Sequence, residues 1–245
     1  MPEKMAFAIT SQKYLHNGRK DGSFQMTINN QLIKHYLKNV MFINGTSYAG
    51  KSTMVKMLAD KYGLIHCGEN YNCIPQGIVM PDKYPNLSYF QTKKSWQEFY
   101  GRTPEAYDNW IQGCSRELVE FEVTYLMSIS HSQKVIVDTN LPADVLREIA
   151  AYNQVAVMLA PPAMAIEHFF NRDDDKPFIL EQIKKMDDPE KGLANYHAIL
   201  ERICRQEYYD QWAGSGFFMI VRKDTTSDTR VETMEMLAKH FGLTD

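Results

Sequence analysis

The chain has 245 residues, 44% of them hydrophobic and 23% charged, and its formal net charge is −3. This is the composition of one large folded domain with a full core, not of a low-complexity or disordered chain. A pI near 6.2 gives no overall basic surface, which weighs against a nucleic-acid partner, although a local basic groove would survive it.

Residues 1–39 read as an N-terminal extension. Ala6-Phe7-Ala8-Ile9-Thr10 and Phe24-Gln25-Met26-Thr27-Ile28 are strand-like, and Asn17-Gly18 and Asp21-Gly22 between them are turn dipeptides. They predict a hairpin. Residues 30 to 37 predict a short helix. A lid, a homodimer contact and a partly disordered segment are all open as roles for the extension.

Val40-Met41-Phe42-Ile43 is a short apolar run that reads as a buried strand. Gly45-Thr46-Ser47-Tyr48-Ala49-Gly50-Lys51-Ser52 follows and fits G-x-x-x-x-G-K-[ST] without a mismatch. A helix comes next, with Met54, Val55, Leu58 and Tyr62 on one face and Gly63 as its stop. The chemistry follows from this order. Gly45 and Gly50 allow turns that aim successive backbone N–H groups at one anion. The helix N-terminus adds partial positive charge there. Lys51 supplies a mobile charge, Ser52 a hydroxyl for Mg²⁺, and Thr53 continues the site. The bland alternative is a glycine-containing turn with an exposed lysine.

Strand, glycine-rich turn and helix together resemble the P-loop NTPase superfamily, and the resemblance covers the core of the chain. It implies ATP and Mg²⁺ as cofactors, with Gly45 through Thr53 around the phosphates. Leu64-Ile65-His66-Cys67 predicts the next strand, followed by a proline-bearing loop to about Phe90. Loops this long are usually functional or disordered. In P-loop kinases the end of this strand faces the acceptor and often carries an acidic base. Glu69 stands there, either as general base or as an exposed loop acid. Tyr71, Tyr89 and Phe90 either line an acceptor pocket or pin the loop to the core. The acceptor-binding insert is placed at about 69–103.

A short helix is predicted at 92 to 100. A long one starts at Thr103-Pro104-Glu105, which supplies an N-cap, an N1 proline and an early acid. Its apolar face is Tyr107, Ile111, Cys114, Leu118, Phe121, Tyr125 and Ile129. Arg116 and Glu120 lie opposite. They form either a solvated i,i+4 pair or a substrate-binding arginine with its partner.

Lys134-Val135-Ile136-Val137-Asp138-Thr139-Asn140-Leu141-Pro142 predicts a buried strand ending in an acid, with a helix from about Asp144 to Tyr152. Val137-Asp138-Thr139-Asn140-Leu141 resembles the corresponding stretch of polynucleotide-kinase-like and zeta-toxin-like kinases. The resemblance implies that Asp138 holds Mg²⁺ with Ser52; a turn-capping aspartate is the alternative. Val155 to Leu159 predicts another strand. Helices at 163 to 170, at 178 to 186 and from Asp188-Pro189-Glu190 to about Gln211 follow. The resemblance implies a lid at about 163–190, with Arg172 closing over the transferring phosphoryl. Asp173-Asp174-Asp175 is a poor neighbour for a triphosphate, and a solvated charged loop is the other reading. Phe217 to Val221 predicts the last strand. Asp224 and Thr225 follow it, and the resemblance implies that this loop lies beside the adenine. The final helix runs from about Thr229 to Phe241, with Thr229 and Glu232 spaced as a capping box.

Cys67, Cys73, Cys114 and Cys204 form no C-x-x-C pair and no metal-ligand spacing, so they read as reduced thiols of a cytoplasmic protein. Met1 to Thr10 lacks the pattern of a secretory signal. No run approaches the ~18 apolar residues of a membrane span, so no membrane partner is expected.

The alternation of strands and helices predicts an α/β fold. The expected architecture is a doubly wound, mainly parallel five-stranded sheet with helices on both faces, spanning 40–245. The resemblance implies a phosphotransferase moving the γ-phosphoryl of ATP to a hydroxyl of a small molecule. Lys51, Glu69, Asp138 and Arg172 would be its catalytic groups. A polynucleotide or nucleotide kinase and a non-catalytic nucleotide-binding regulator are the alternatives. The N-K-x-D and L-S-G-G signatures of GTPases and ABC-type ATPases are absent.

Overall fold

The structure, a computed structural model, describes residues 28–69, 71–171, 176–223 and 226–243. Both strand-like segments of the extension up to residue 27, with their hairpin, lie outside that range, as do Asn70, Arg172, Asp173 to Asp175, Asp224 and Thr225.

Five strands form one parallel sheet: β1 (Val40–Gly45), β2 (Ile65–Cys67), β3 (Val135–Asp138), β4 (Val155–Leu159) and β5 (Phe218–Val221). Their order is β2-β3-β1-β4-β5. The chain winds outward from β1 in one direction and then in the other. The crevice where the winding reverses opens at the carboxyl end of β1, between β3 and β4, where open α/β sheets bind ligands. The middle strands are apolar runs because both of their faces are covered.

Pleating sends alternate residues of each strand into two cores. Val40, Phe42, Val135, Val137, Val155 and Val157 face α1 (Asn30–Tyr36), α5 (Pro104–Ile129), α6 (Ala143–Ile149) and α10 (Gln206–Ala213). Met41, Ile43, Ile136, Ala156 and Met158 face α2 (Lys51–Tyr62) and α11 (Arg230–His240). This is the doubly wound, three-layer arrangement expected of the sequence. Each fully buried aliphatic side chain contributes about 1.5–3 kcal/mol.

A third, aromatic cluster stands over the carboxyl edge of the sheet. It is built from α4 (Trp96–Tyr100), the start of α5, α8 (Lys176–Lys184) and α9 (Pro189–Ile203). The short helices α3 (Tyr89–Thr92) and α7 (Pro162–Glu167) flank it.

Several boundaries differ from the sequence reading. The short helix expected at 92 to 100 is two helices, α3 and α4, because the Ser95 hydroxyl accepts from Glu98 N (3.0 Å) and starts a new N-cap. The helix expected to reach Gln211 breaks at Cys204-Arg205. Arg205 takes an extended conformation, and its guanidinium donates to the carbonyl of Arg202 (2.7 Å), closing the end of α9. α6 stops at Ile149, since Gln154 draws the following turn onto Leu37 and Val40 by donating to both carbonyls. Thr229 does not form the expected capping box. Asp228 accepts instead from Arg230 N at 3.2 Å.

α5 departs furthest from its apolar pattern. It buries Tyr107, Asp108, Phe121, Glu122, Val123 and Leu126, whereas Ile111, Cys114 and Leu118 line a hollow. Only the C-terminal half of α5 packs on the sheet, and its middle roofs a cavity. Arg116 and Glu120 do not pair with each other. Arg116 donates to Asp144 (2.7 Å), and Glu120 accepts from the Tyr84 hydroxyl and pairs with Lys83.

Candidate functional site

The turn between β1 and α2 is held from three sides. Gly45 has φ 131°, and a Cβ there would stand 1.9 Å from the carbonyl oxygen of Met158. Only glycine lets β1 run this close to β4. Thr46 N donates to the same carbonyl at 3.0 Å. The Thr46 hydroxyl accepts from Ala160 N at 2.7 Å. Asn44 is buried beneath the turn, accepting from Gly45 N (2.6 Å) and donating to Leu141 O (2.7 Å). Gly50, at φ 89°, turns the chain into α2, and Gly63 at φ 64° ends that helix.

Tyr48 is the one non-glycine residue with positive φ among the described residues, at 67°. Arg222, at the end of β5, holds it by donating to its carbonyl (3.0 Å) and resting over its ring (5.6 Å). His168 stacks on the same ring at 5.6 Å. Ala49 turns its methyl into the core below.

Ser47, Tyr48, Gly50, Lys51, Ser52 and Thr53 surround a recess of about 240 Å³, with Glu69 and Arg222 at its edge. Lys51 Nζ reaches back to Thr46 O (3.1 Å), placing a positive charge over the turn. The N-terminus of the twelve-residue α2 opens into the same recess, which makes it a ready anion cradle.

Across the recess, β3 carries Asp138 to the sheet edge. The Ser52 hydroxyl donates to Asp138 Oδ2 at 2.7 Å, and Asp138 is 2% exposed. A hydroxyl and a carboxylate oxygen are hard donors suited to Mg²⁺, which takes few protein ligands and completes its shell with water and phosphate oxygens. The two residues therefore fit such an ion. Among the described residues, no group of three or more His, Cys, Asp or Glu could hold a metal by itself.

The recess opens into a cavity of about 930 Å³ that runs under α5. Phe90, Phe99, Tyr107, Trp110, Phe169 and Tyr196 give it aromatic walls. Asp108 and Glu122 line it from the same helix, about four turns and ~21 Å apart. Asp108 Oδ2 accepts from Arg202 (3.0 Å) and Arg205 (2.8 Å).

Glu122 is the residue that apolar patterning misses. It is 1% exposed, and its Oε1 has no hydrogen-bond partner. Burial pushes its carboxyl up to about 7; a hydrogen bond with the Thr139 side chain opposes that and the Asp138 charge adds to it. Burial, then the Glu122 charge, raise Cys67 and Cys73 to about 11, so both thiols stay protonated at neutral pH. Tyr71 is raised by the same two causes.

Thus the turn residues Gly45 to Thr53 come together with Glu69 and Asp138. Glu69 is exposed and edges both the recess and the cavity. Arg172, Asp224 and Thr225 lie outside the described residues. Arg222 and Glu122 are additions. An acid just off an apolar stripe is the only sequence signal for Glu122, and Arg222 has none beyond its place at a strand end. Among the described residues, no helix is long and apolar enough to cross a membrane. No protein-family model, curated protein or solved structure matches the chain.

Proposed function

We propose that the protein is a phosphotransferase that moves the γ-phosphoryl of ATP, with Mg²⁺, to a hydroxyl of a small molecule. The observation that carries this reading is the pairing of Ser52 with Asp138 at 2.7 Å beside Lys51 and the amino end of α2. An anion cradle alone would suit any phosphate. A cradle with a hydroxyl and a buried carboxylate placed for a cation suits a polyphosphate and its metal. The cavity of about 930 Å³ that opens from the recess gives room for a second substrate.

The backbone N–H groups of the turn and Lys51 would bind the outer phosphates. Ser52 and Asp138 would hold Mg²⁺, which neutralises phosphate charge when bound. The acceptor hydroxyl oxygen bonds to the γ-phosphorus as the bond from that phosphorus to the bridging oxygen breaks, and ADP departs. The hydroxyl proton passes to a carboxylate at the cavity edge and then to solvent. Glu69 stands at the junction of recess and cavity and is the first candidate for that carboxylate.

The test is ADP release from ATP and Mg²⁺ with pools of nucleosides, sugars, amino alcohols and short oligonucleotides bearing a free hydroxyl end. Release that depends on an acceptor and disappears in Lys51→Ala supports the reading. Tight ATP binding without acceptor-stimulated release contradicts it and favours a nucleotide-binding regulator.

A further inference from the structure

The cavity beneath α5 is built unevenly. Its walls are aromatic, and its polar groups stand at two ends, Asp108 with Arg205 at one and Glu122 with Tyr71 near the sheet at the other. Phe90 and Phe99 meet Trp110 edge to face, at ring distances of 5.4 and 4.9 Å. Phe90 is 44% exposed and forms part of the cavity wall. At the sheet end, Glu122 Oε1 and the Tyr71 hydroxyl are both buried atoms without a hydrogen-bond partner, and both residues line the cavity. One is an acceptor and the other can donate or accept. Leaving such atoms unpaired costs about 1–3 kcal/mol each. A ligand that supplies both bonds recovers that cost.

Charge narrows the ligand. Glu69, Asp108, Glu122 and Asp138 are the acids lining the cavity, against Lys51 and Arg205 among its described residues. Lys51 sits in the anion cradle, and Arg205 is engaged by Asp108 and by the carbonyl of Arg202. Among the described residues, no lining cation is left for an anionic acceptor, and the charges of Glu69 and Asp138 would repel one.

We infer that the cavity is the acceptor site for an uncharged alcohol with a ring-bearing apolar body. Its polar end is held by Glu122 Oε1 and the Tyr71 hydroxyl, and its body lies against Phe90, Phe99 and Trp110. The term acceptor rests on the phosphotransferase reading; the binding site does not. Glu122 is a binding residue here, and a hydroxyl proton donated to Oε1 satisfies its free oxygen. Cys67, Cys73, Tyr71, Asp138 and Thr139 surround it, and none of them brings a positive charge. A bound hydroxyl is therefore a fitting partner. A phosphate or carboxylate is not.

The experiment measures binding separately from turnover. Quenching of tryptophan fluorescence, in which Trp110 reports on the cavity, is followed as the full chain is titrated with phenylethylene glycol, phenylethanolamine, adenosine and adenosine monophosphate. Phenylethylene glycol is expected to bind saturably, and adenosine monophosphate at least about tenfold more weakly. Tyr71→Phe and Glu122→Leu are each expected to weaken glycol binding about tenfold, with Mg-ATP affinity within about twofold of the parent. Phe90→Ala should weaken it too and removes no buried polar group. Three results would overturn the inference: tighter binding of the amine or the monophosphate than of the glycol; affinity unchanged in Tyr71→Phe, Glu122→Leu and Phe90→Ala; or no saturable quenching by any probe. Glycol binding without ADP release would leave this site standing and sink the phosphotransferase reading instead.

Discussion

Ser52 and Asp138 lie 86 positions apart in the chain, and their side chains meet at 2.7 Å. The sheet makes the contact. β1 and β3 are hydrogen-bonded neighbours with Ile43 opposite Asp138, so the turn leaving β1 starts level with the acid that ends β3. The register thus places a hydroxyl from the first turn of α2 against a buried carboxylate.

Asp138→Asn keeps the size of the side chain and removes its charge. We predict that it weakens ATP binding at least about tenfold when Mg²⁺ is present and much less in its absence, because the lost attraction is to the cation. Calorimetric titration with and without Mg²⁺ measures both. An equal loss under the two conditions would mean that Asp138 supports the turn and not a metal.

The two glycines of the turn differ in what they tolerate. Gly45→Ala drives a methyl into the Met158 carbonyl, with 1.9 Å available, and also strains φ. It should destabilise the fold by about 3 kcal/mol or more, and denaturant midpoints will show it. At Gly50 the nearest atom to a new Cβ is Met158 Cε at 4.0 Å, so Gly50→Ala meets only the cost of its φ of 89°. About 1 kcal/mol is expected there.

Glu122 makes stability depend on pH in a defined direction. Its folded carboxyl titrates at about 7 and its unfolded one near 4.5, so folding takes up a proton between those values. Stability from this group is fully present below about 4.5 and is lost as pH rises to 7, by on the order of 3 kcal/mol. Glu122→Gln does not titrate. Its stability relative to the parent should therefore rise between pH 5 and pH 8 and level off above. Parallel urea midpoints at the two pH values test this, and a constant difference would contradict it.

The middle of the sheet was legible because β1, β3 and β4 are buried on both faces and appear as apolar runs between glycine and proline signals. The turn was legible because backbone geometry demands Gly45 and Gly50, and phosphate chemistry demands Lys51 and Ser52. Glu122 and Asp108 were not. Helical periodicity marks an apolar stripe, and an acid at its edge looks solvated unless a cavity beneath it is known. The long helix after Pro189 reads as unbroken because Arg205 suits a helix, and the carboxylate of Asp108 that draws it aside comes from 97 positions earlier. Arg222 is part of the site only because β5 is parallel to β4 and delivers it over Tyr48. Such groupings depend on tertiary placement, which local pattern does not encode.

The most direct test of the central claim is ADP release from ATP and Mg²⁺ with and without an acceptor, for the parent protein beside Lys51→Ala. The account predicts release that rises with acceptor in the parent and is abolished by Lys51→Ala. Tight ATP binding with no acceptor-stimulated release from any pool would contradict it.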